Sequence, residues 1–348
     1  MTLCVCFGTR PEYIKVKPII QQYPGPMIVC YTGQHETLIQ HEAIPQIDYN
    51  LGAVMKSTGN RLNDIMIHIL NAVDVFQHCC AVLIQGDTTT ALAMALSAYH
   101  HHIPIIHLEA GLRTHNTQDP FPEEANRKLI SAISSLHLCP TPQNEMNLTT
   151  ERCGGLKKVV GNTGLDGLCR SGCSYGKTVI VTMHRRENLD LLPEWFNAIE
   201  QCAKSYPTLL FILPMHPNPQ VQKWKYLLQQ VEVMDPVPHN EFVNMIKTCR
   251  FIISDSGGLQ EECAYYNKKI IVCRKTTERP ESLGKQSYLC NSPTKLKEMV
   301  EHCQSNYECN HLCPYGDGFA TNRIIPIIQD FMKSLCHGAE ASNPNPNP

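Results

Sequence analysis

No apolar run in the chain approaches the roughly 18 residues of a membrane-crossing helix, so no membrane-spanning segment is expected. The opening run in MTLCVCFGTRPEYIK ends at Gly8, too early for a secretory core and suited to a buried first strand. A cytoplasmic protein is therefore expected. Basic blocks are absent too: Lys+Arg 30 against Asp+Glu 32 leaves a formal net charge of -2. That removes the electrostatic footprint of a nucleic-acid binder. An anionic ligand would have to be met by a few placed cations. Neither a G-x-G-x-x-G fingerprint nor a G-x-x-x-x-G-K-[ST] loop occurs, so no redox cofactor or ATP loop is expected, and no cofactor is assigned.

Cysteine, in contrast, is plentiful, with 18 in the chain. Several, such as Cys4, Cys6, Cys30 and Cys273, lie inside apolar strand-like runs. Without an export signal they read as reduced thiols used as small hydrophobes. Cys303, Cys309, His311 and Cys313 crowd together late in the chain, but their spacing fits no standard zinc site, and no metal is expected.

At 348 residues, 43% hydrophobic and 18% charged, the chain is a globular protein too long for one ordinary core. Short apolar runs alternate with amphipathic stretches. LCVCF (3–7), MIVCY (27–31), AVLIQ (81–85) and IPIIHL (103–108) read as strands; 11–22, 59–77, 87–100 and 123–135 read as helices. The pattern returns with TVIVT (178–182), LLFILP (209–214), FIIS (251–254) and KIIVC (269–273). Such alternation indicates α/β domains with parallel sheets covered on both faces. The expected fold is two Rossmann-like domains facing a cleft. Residues 1–165 form the first, 170–318 the second, a helix at 319–336 packs back on the first, and 337–348 form a disordered tail.

Ligands of open parallel sheets sit beyond the carboxyl ends of the strands. FGTRPEYIK, QGDTTT, HLEAGLRT, TMHRREN, PMHPNP and SDSGGLQEE each begin where an apolar run ends. In SDSGGLQEE, Ser256, Gly257 and Gly258 stand between strand and helix, where free N–H groups and the helix dipole favour phosphate oxygens. Glu262 follows within two turns, suited to ribose hydroxyls; an ordinary turn with a Ser cap explains the same residues. Arg10 and Lys15 follow the first strand, and Arg279 in TTERPE is a third cation; each alone is as readily a solvated surface charge. Among the acids, Asp87 and Glu123 suit helix starts. Glu109, between a buried strand and AGL, is costly unless paired or used, with Arg113 and Arg127 as expected partners. His184 and His216 both end strands, which suits either structural or catalytic imidazoles.

FGTRPEYIK, TGQH, GDTTTALA, EAGLRT, FPEEANRK, GNTGLD, HRREN, SDSGGLQEE, TTERPE and PYGDG, in this order and spacing, resemble the non-hydrolysing UDP-N-acetylglucosamine 2-epimerase family from about residue 3 to 335. The resemblance implies a glycosyltransferase-B-type fold, a homodimer, and interconversion of UDP-GlcNAc and UDP-ManNAc through elimination of UDP to a 2-acetamidoglucal and its re-addition. It implies that Asp87, Glu109, Glu123 and His216 are catalytic. Arg10, Lys15, Phe242, Ser256, Gly257, Gly258, Glu262 and Arg279 match UDP-binding positions, and Arg127 and His184, within the same motifs, complete the expected substrate set. Bacterial members carry a second, regulatory UDP-GlcNAc site. Gln34 and Arg185 match it, but Thr37 replaces a usual Gln and His68 a usual Arg, so weakened or absent activation is expected. The competing readings are an epimerase of a 6-deoxy-L-hexosamine or diacetamido-uronate, a hydrolysing epimerase, a UDP-sugar glycosyltransferase of the same fold, and a silent nucleotide-sugar sensor. Retention of GDTTT, EAGLR and SDSGG argues against the first, and the acids after the first-half strands argue against the transferase and the sensor; a hydrolysing epimerase shares most of the site and is excluded by a product still joined to UDP.

Overall fold

The computed structural model describes residues 1–35, 38, 44 and 46–341, with the side chains of 73, 74 and 336–341 excepted. The chain divides into two compact units: Met1–Gly167 with Gly316–Pro348, and Leu168–Tyr315.

In the first unit the described strands form one parallel sheet in the order β3-β2-β1-β4-β5-β6-β7. They are β1 (Leu3–Phe7), β2 (Met27–Tyr31), β3 (Tyr49–Asn50), β4 (Ala81–Gln85), β5 (Ile105–Leu108), β6 (Leu136–Cys139) and β7 (Leu156–Val159). Alternation along β1 explains its composition. Leu3, Val5 and Phe7 pack with Tyr13, Val16 and Ile19 of the helix Arg10–Gln22 and with Ile324 and Ile328 of the helix Ala320–Ala341. Cys4 and Cys6 point to the opposite face and join Cys30, Ile65, Ile69 and Met94. Small thiols there let the helices Arg61–Leu70 and Thr89–His100 approach the sheet, and each fully buried aliphatic side chain contributes about 1.5–3 kcal/mol.

The second unit carries a parallel sheet in the order β10-β9-β8-β11-β12-β13. Its strands are β8 (Thr178–Thr182), β9 (Leu210–Pro214), β10 (Glu232–Met234), β11 (Phe251–Ser254), β12 (Ile270–Val272) and β13 (Ser287–Leu289). Val179, Val181, Phe211, Phe251, Ile253 and Ile271 form its core with Trp195, Phe196 and Ile199 of the helix Leu192–Ser205. In each sheet the strand order reverses once, between β1 and β4 and between β8 and β11. Chains diverge there, opening a crevice at the carboxyl ends.

Local expectations differ from the structure at several points. The helix expected over 59–77 stops at Leu70, where Asn71 caps it, and Val73–Phe76 make a short 3-10 turn. The last helix runs to Ala341 rather than 336, because LCHGAEA supplies mostly helix formers and, after Pro326 within the helix, the next proline is Pro344. Residues 342–348 lie outside the described residues. Among the described residues no helix is long and apolar enough to cross a membrane.

Candidate active site

In the first unit the turns after β1, β4 and β5 are tied together by carboxylates. Thr9 caps the helix Arg10–Gln22, and Glu12 completes the capping box. The buried Glu12 accepts from the N–H groups of Gly8 (2.9 Å) and Thr9 (2.7 Å) and from Thr88 Oγ1 (2.5 Å). One side chain thus joins the β1 turn to the β4 turn; burial pushes its pKa up while these donors oppose the shift. Arg10 is exposed at the helix entrance, its N–H directed at His35 Nδ1 at 3.4 Å.

Glu109 follows β5 in the left-handed region, at φ 65°, a conformation costing a side-chain-bearing residue about 1–2 kcal/mol. Its Oε2 accepts from both Lys15 Nζ and Gln85 Nε2, and its Oε1 from Asn162 Nδ2 at 3.3 Å. The expected partners Arg113 and Arg127 are engaged elsewhere. Arg113 makes bidentate bonds to Glu151 at 2.7–3.0 Å, because its side chain turns away beneath the helix Pro142–Thr150. Arg127 grips Asp87, with Nε at 2.8 Å and Nη2 at 2.6 Å from Oδ2, and also holds the fully buried Glu124 at 2.7 Å. Glu124 in turn accepts from the N–H groups of Thr114 and His115. Of the adjacent acids, then, Glu124 is structural. Glu123 opens the helix Glu123–Ile133, half-buried at its N-terminus. Beneath Asp87, the buried His107 bonds Gly86 O at 2.9 Å; burial holds its pKa down to about 3, so the ring is neutral.

The second unit offers donors rather than acids. Asp255, fully buried after β11, accepts from the N–H groups of His184 (3.0 Å) and Arg185 (2.9 Å) and from Asn188 Nδ2 (3.2 Å). It clamps the turn after β8. The rings of His184 and His216 stack at 4.9 Å with planes 14° apart, so the structure brings the two strand-end histidines together. Burial lowers both pKa values, with Asp255 opposing. His216 Nδ1 accepts the N–H of Asn218 at 3.1 Å, which assigns its proton to Nε2 and leaves that atom a donor.

Ser256 caps the helix Gly257–Tyr265 by backbone position alone; its side chain makes no cap bond, and its N–H goes to Ser254 Oγ at 2.9 Å. A Cβ at Gly257 would meet Glu278 Oε1 at 2.4 Å and Arg279 Nη1 at 2.8 Å, whereas nothing lies within 4 Å of one at Gly258. Glycine at 257 is thus required by packing, and only Gly258 presents an open face. Arg279, expected as a cation for diphosphate, is buried between Glu261 (2.6 Å) and Glu278. Its charge is already compensated, so it supports the helix start from behind. Glu262 bonds His239 Nε2 at 3.0 Å, with half-buried Phe242 one turn along the helix His239–Thr248.

Of the regulatory positions, Gln34 accepts from Thr90 Oγ1 and its carbonyl from Arg61 Nη2 at 3.2 Å. Arg185 has a buried Nε without a hydrogen bond, as has the Nε2 of His68. Thr37 lies outside the described residues.

The family model for UDP-N-acetylglucosamine 2-epimerase matches residues 20–329. The chain belongs to the UDP-N-acetylglucosamine 2-epimerase family. The Neisseria meningitidis serogroup A UDP-N-acetylglucosamine 2-epimerase is 33% identical, covering 94% of this chain and 99% of that protein. The Bacillus subtilis enzyme of the same name is 35% identical, covering 92% of each. Among solved structures, the Neisseria meningitidis UDP-GlcNAc 2-epimerase bound to UDP-GlcNAc is similar with a TM-score of 0.87 at 33% identity, over 95% of this chain and 100% of that one. The Methanocaldococcus jannaschii UDP-GlcNAc 2-epimerase in complex with UDP-GlcNAc and UDP gives 0.81 at 28% identity, over 95% and 100%.

For an epimerase of this family, sequence reasoning overlooked Glu12, Gln85, Asn162, Asp255 and His239. Each does its work by contacting a partner distant in sequence. Gln85 and Asp255 carried a usable signal, since each stands at the carboxyl end of a buried strand. Asn162 lies in GNTGLD, a motif of the family resemblance, but follows no run read as a strand.

Proposed function

We propose that this epimerase interconverts UDP-N-acetylglucosamine and UDP-N-acetylmannosamine without hydrolysis, using no cofactor. The observation that carries the reading is the set of carboxylates at the carboxyl ends of β4 and β5, each held by a cation: Asp87 by Arg127 and Glu109 by Lys15. The C2–H of an aminosugar has no adjacent carbonyl to stabilise a carbanion, so direct deprotonation is closed. Breaking the C1–O bond sends its electron pair out with UDP and leaves an oxocarbenium-like centre. That centre acidifies C2–H, and a carboxylate removes the proton to give the 2-acetamidoglucal. Return of the UDP oxygen to C1, with a proton delivered to the opposite face of C2, gives the epimer.

Asp87 and Glu123 are the proposed proton carriers. Glu109, held by Lys15, Gln85 and Asn162, suits a stationary negative pole beside C1. His216, neutral with its proton on Nε2, is suited to donate to a phosphate oxygen of departing UDP. The helix start at Gly258, where nothing lies within 4 Å of an added Cβ, and the carboxylate of Glu262 suit diphosphate and ribose, and Arg10 is an exposed cation for the same anion. The assembly proposed from the family is a homodimer.

Incubation with UDP-GlcNAc in D2O, followed at C2 by NMR, tests the reading. Solvent deuterium should enter C2 of both epimers while the sugar stays joined to UDP. Epimerisation with C2 unlabelled, or free sugar as the product, would overturn it. Rates on pure UDP-ManNAc with and without trace UDP-GlcNAc test the weakened regulation expected from His68; strong dependence on the trace refutes it.

A further inference from the structure

The last helix, Ala320–Ala341, belongs to the first unit, and its first turn meets the loop GNTGLD at 161–166. Three contacts join them. Asp166 accepts the N–H groups of Ala320 at 2.8 Å and Thr321 at 2.7 Å, one on each carboxylate oxygen. Those donors have no partner inside the helix, and the carboxylate also meets the positive end of the helix dipole. Arg323 Nε donates to Val160 O at 2.8 Å. Ahead of the helix, Gly316 lies so close that a Cβ on it would stand 3.3 Å from Gly161 Cα and 3.5 Å from the N of Asn162. Both ends of the loop are thus fastened by the chain's final segment.

What the loop carries is part of the candidate active site. Asn162 is buried, at 3% exposure. Its Oδ1 accepts the N–H of Gly164 at 2.8 Å, and its Nδ2 stands 3.3 Å from Glu109 Oε1. Only the oxygen of an amide can meet an N–H, so the Gly164 bond turns the donor end of Asn162 toward Glu109. Gly164, in the short turn Thr163–Leu165, packs on the stem of Lys15, whose Cγ and Cε would lie 3.7 Å from a Cβ there. Lys15 Nζ is itself bound to Glu109. One loop therefore carries a donor to this acid and backs its cation. At 3.3 Å the Asn162 bond is at the long end of the range, so a small shift of the loop breaks it.

We propose, resting on the role of Glu109 given above, that Asn162 and Asp166 are positioning residues for that carboxylate. Asp166 anchors the loop to the last helix, and Asn162 passes the anchorage on to Glu109. A fixed charge stabilises a transition state only where it is placed, and a displacement of about 1 Å can cost about a hundredfold in rate.

Turnover of UDP-GlcNAc, measured per folded molecule, tests this. Asn162→Asp keeps the size of the side chain and the acceptor for Gly164, but sets a second carboxylate oxygen against Glu109. It should lower kcat about a hundredfold with KM within about threefold of the parent, the mark of an interaction lost in the transition state alone. Were Asn162 only shaping its loop, this isosteric change would keep the parent kcat. Asp166→Ala should lower kcat about tenfold, and Asp166→Asn, which keeps one acceptor, should recover most of the loss. Ile328→Val, a change in the core contact of the same helix, should leave kcat per folded molecule at the parent value. A kcat within about threefold of the parent in Asn162→Asp or in Asp166→Ala overturns the proposal. Equal losses in Ile328→Val and Asp166→Ala overturn it too. Glu109→Gln separates the two levels: parent turnover there removes Glu109 from the reaction and this proposal with it. An inactive Glu109→Gln beside an unimpaired Asn162→Asp overturns the positioning role alone.

Discussion

The two units end their sheets in the same way and arm them differently. Each has a reversal of strand order with polar turns beyond it. In the first unit those turns carry acids held directly by cations, as Arg127 holds Asp87 and Lys15 holds Glu109. In the second unit the ion pairs of Arg279 with Glu261 and Glu278 stand behind the helix start, and the strand-end groups are the stacked imidazoles of His184 and His216, the His184 turn clamped by Asp255. In the first unit the strand-end charge is paired in place. Charge that only shapes a donor surface is buried behind it. The difference suits one unit to proton transfer and the other to an anionic leaving group.

Several substitutions would break or sharpen that contrast. The largest effect is expected from Asp87→Asn or Glu123→Gln, which should slow C2 exchange by about 10²–10⁴-fold while leaving UDP affinity near the parent value. An exchange rate within a few-fold of the parent would remove these acids from the reaction. Next comes Arg127→Met, which strips the counter-ion from buried Glu124 and from Asp87 together. We expect a stability loss of about 3–5 kcal/mol by urea unfolding. A loss no greater than that of an ordinary surface change would show that the network is not the anchor of the first unit.

On the donor side, Asp255→Asn should lower stability by about 1.5–3 kcal/mol and weaken UDP binding, read by calorimetry, with little effect on residual C2 exchange per bound substrate. Exchange falling as steeply as in Asp87→Asn would erase the proposed division between units. A separate effect concerns pH. Burial holds His107 and His137 near about 3 and about 4, against an ordinary 6.5. The unfolded chain therefore binds those protons first, and stability should fall as pH drops below about 6.5 and go on falling toward the folded values. The slope is about 1.4 kcal/mol per pH unit for each histidine. Urea midpoints between pH 7.5 and 5 measure it, and His107→Asn should flatten the curve.

Legibility in the sequence followed physical causes. β1, β2, β4, β8 and β11 were plain because strands buried on both faces read as unbroken apolar runs. β7 was not, since LKKV is a largely exposed edge whose lysines protect it from further pairing. β6 was hidden by the histidine in LHLC, which is buried and hydrogen-bonded to Gly154 O at 2.9 Å. In the candidate site, the positions of Asp87, Glu109, His184 and His216 after strands could be read, but their partners could not. Glu109 was given arginines near in sequence and is held instead by Lys15, 94 positions away.

By itself, then, the order of residues determined the alternating α/β plan, the strand ends where chemistry gathers, and the family. Those are properties of local hydrophobic period and of short motifs in register. Only the tertiary structure decided that Glu124 is tied to Arg127 and to the N–H groups of Thr114 and His115, that Arg279 is spent on internal pairs, and that His184 and His216 stack. Ion pairing and ring stacking depend on distance in space, and distance in space between residues far apart in sequence is set by how the strands and helices pack.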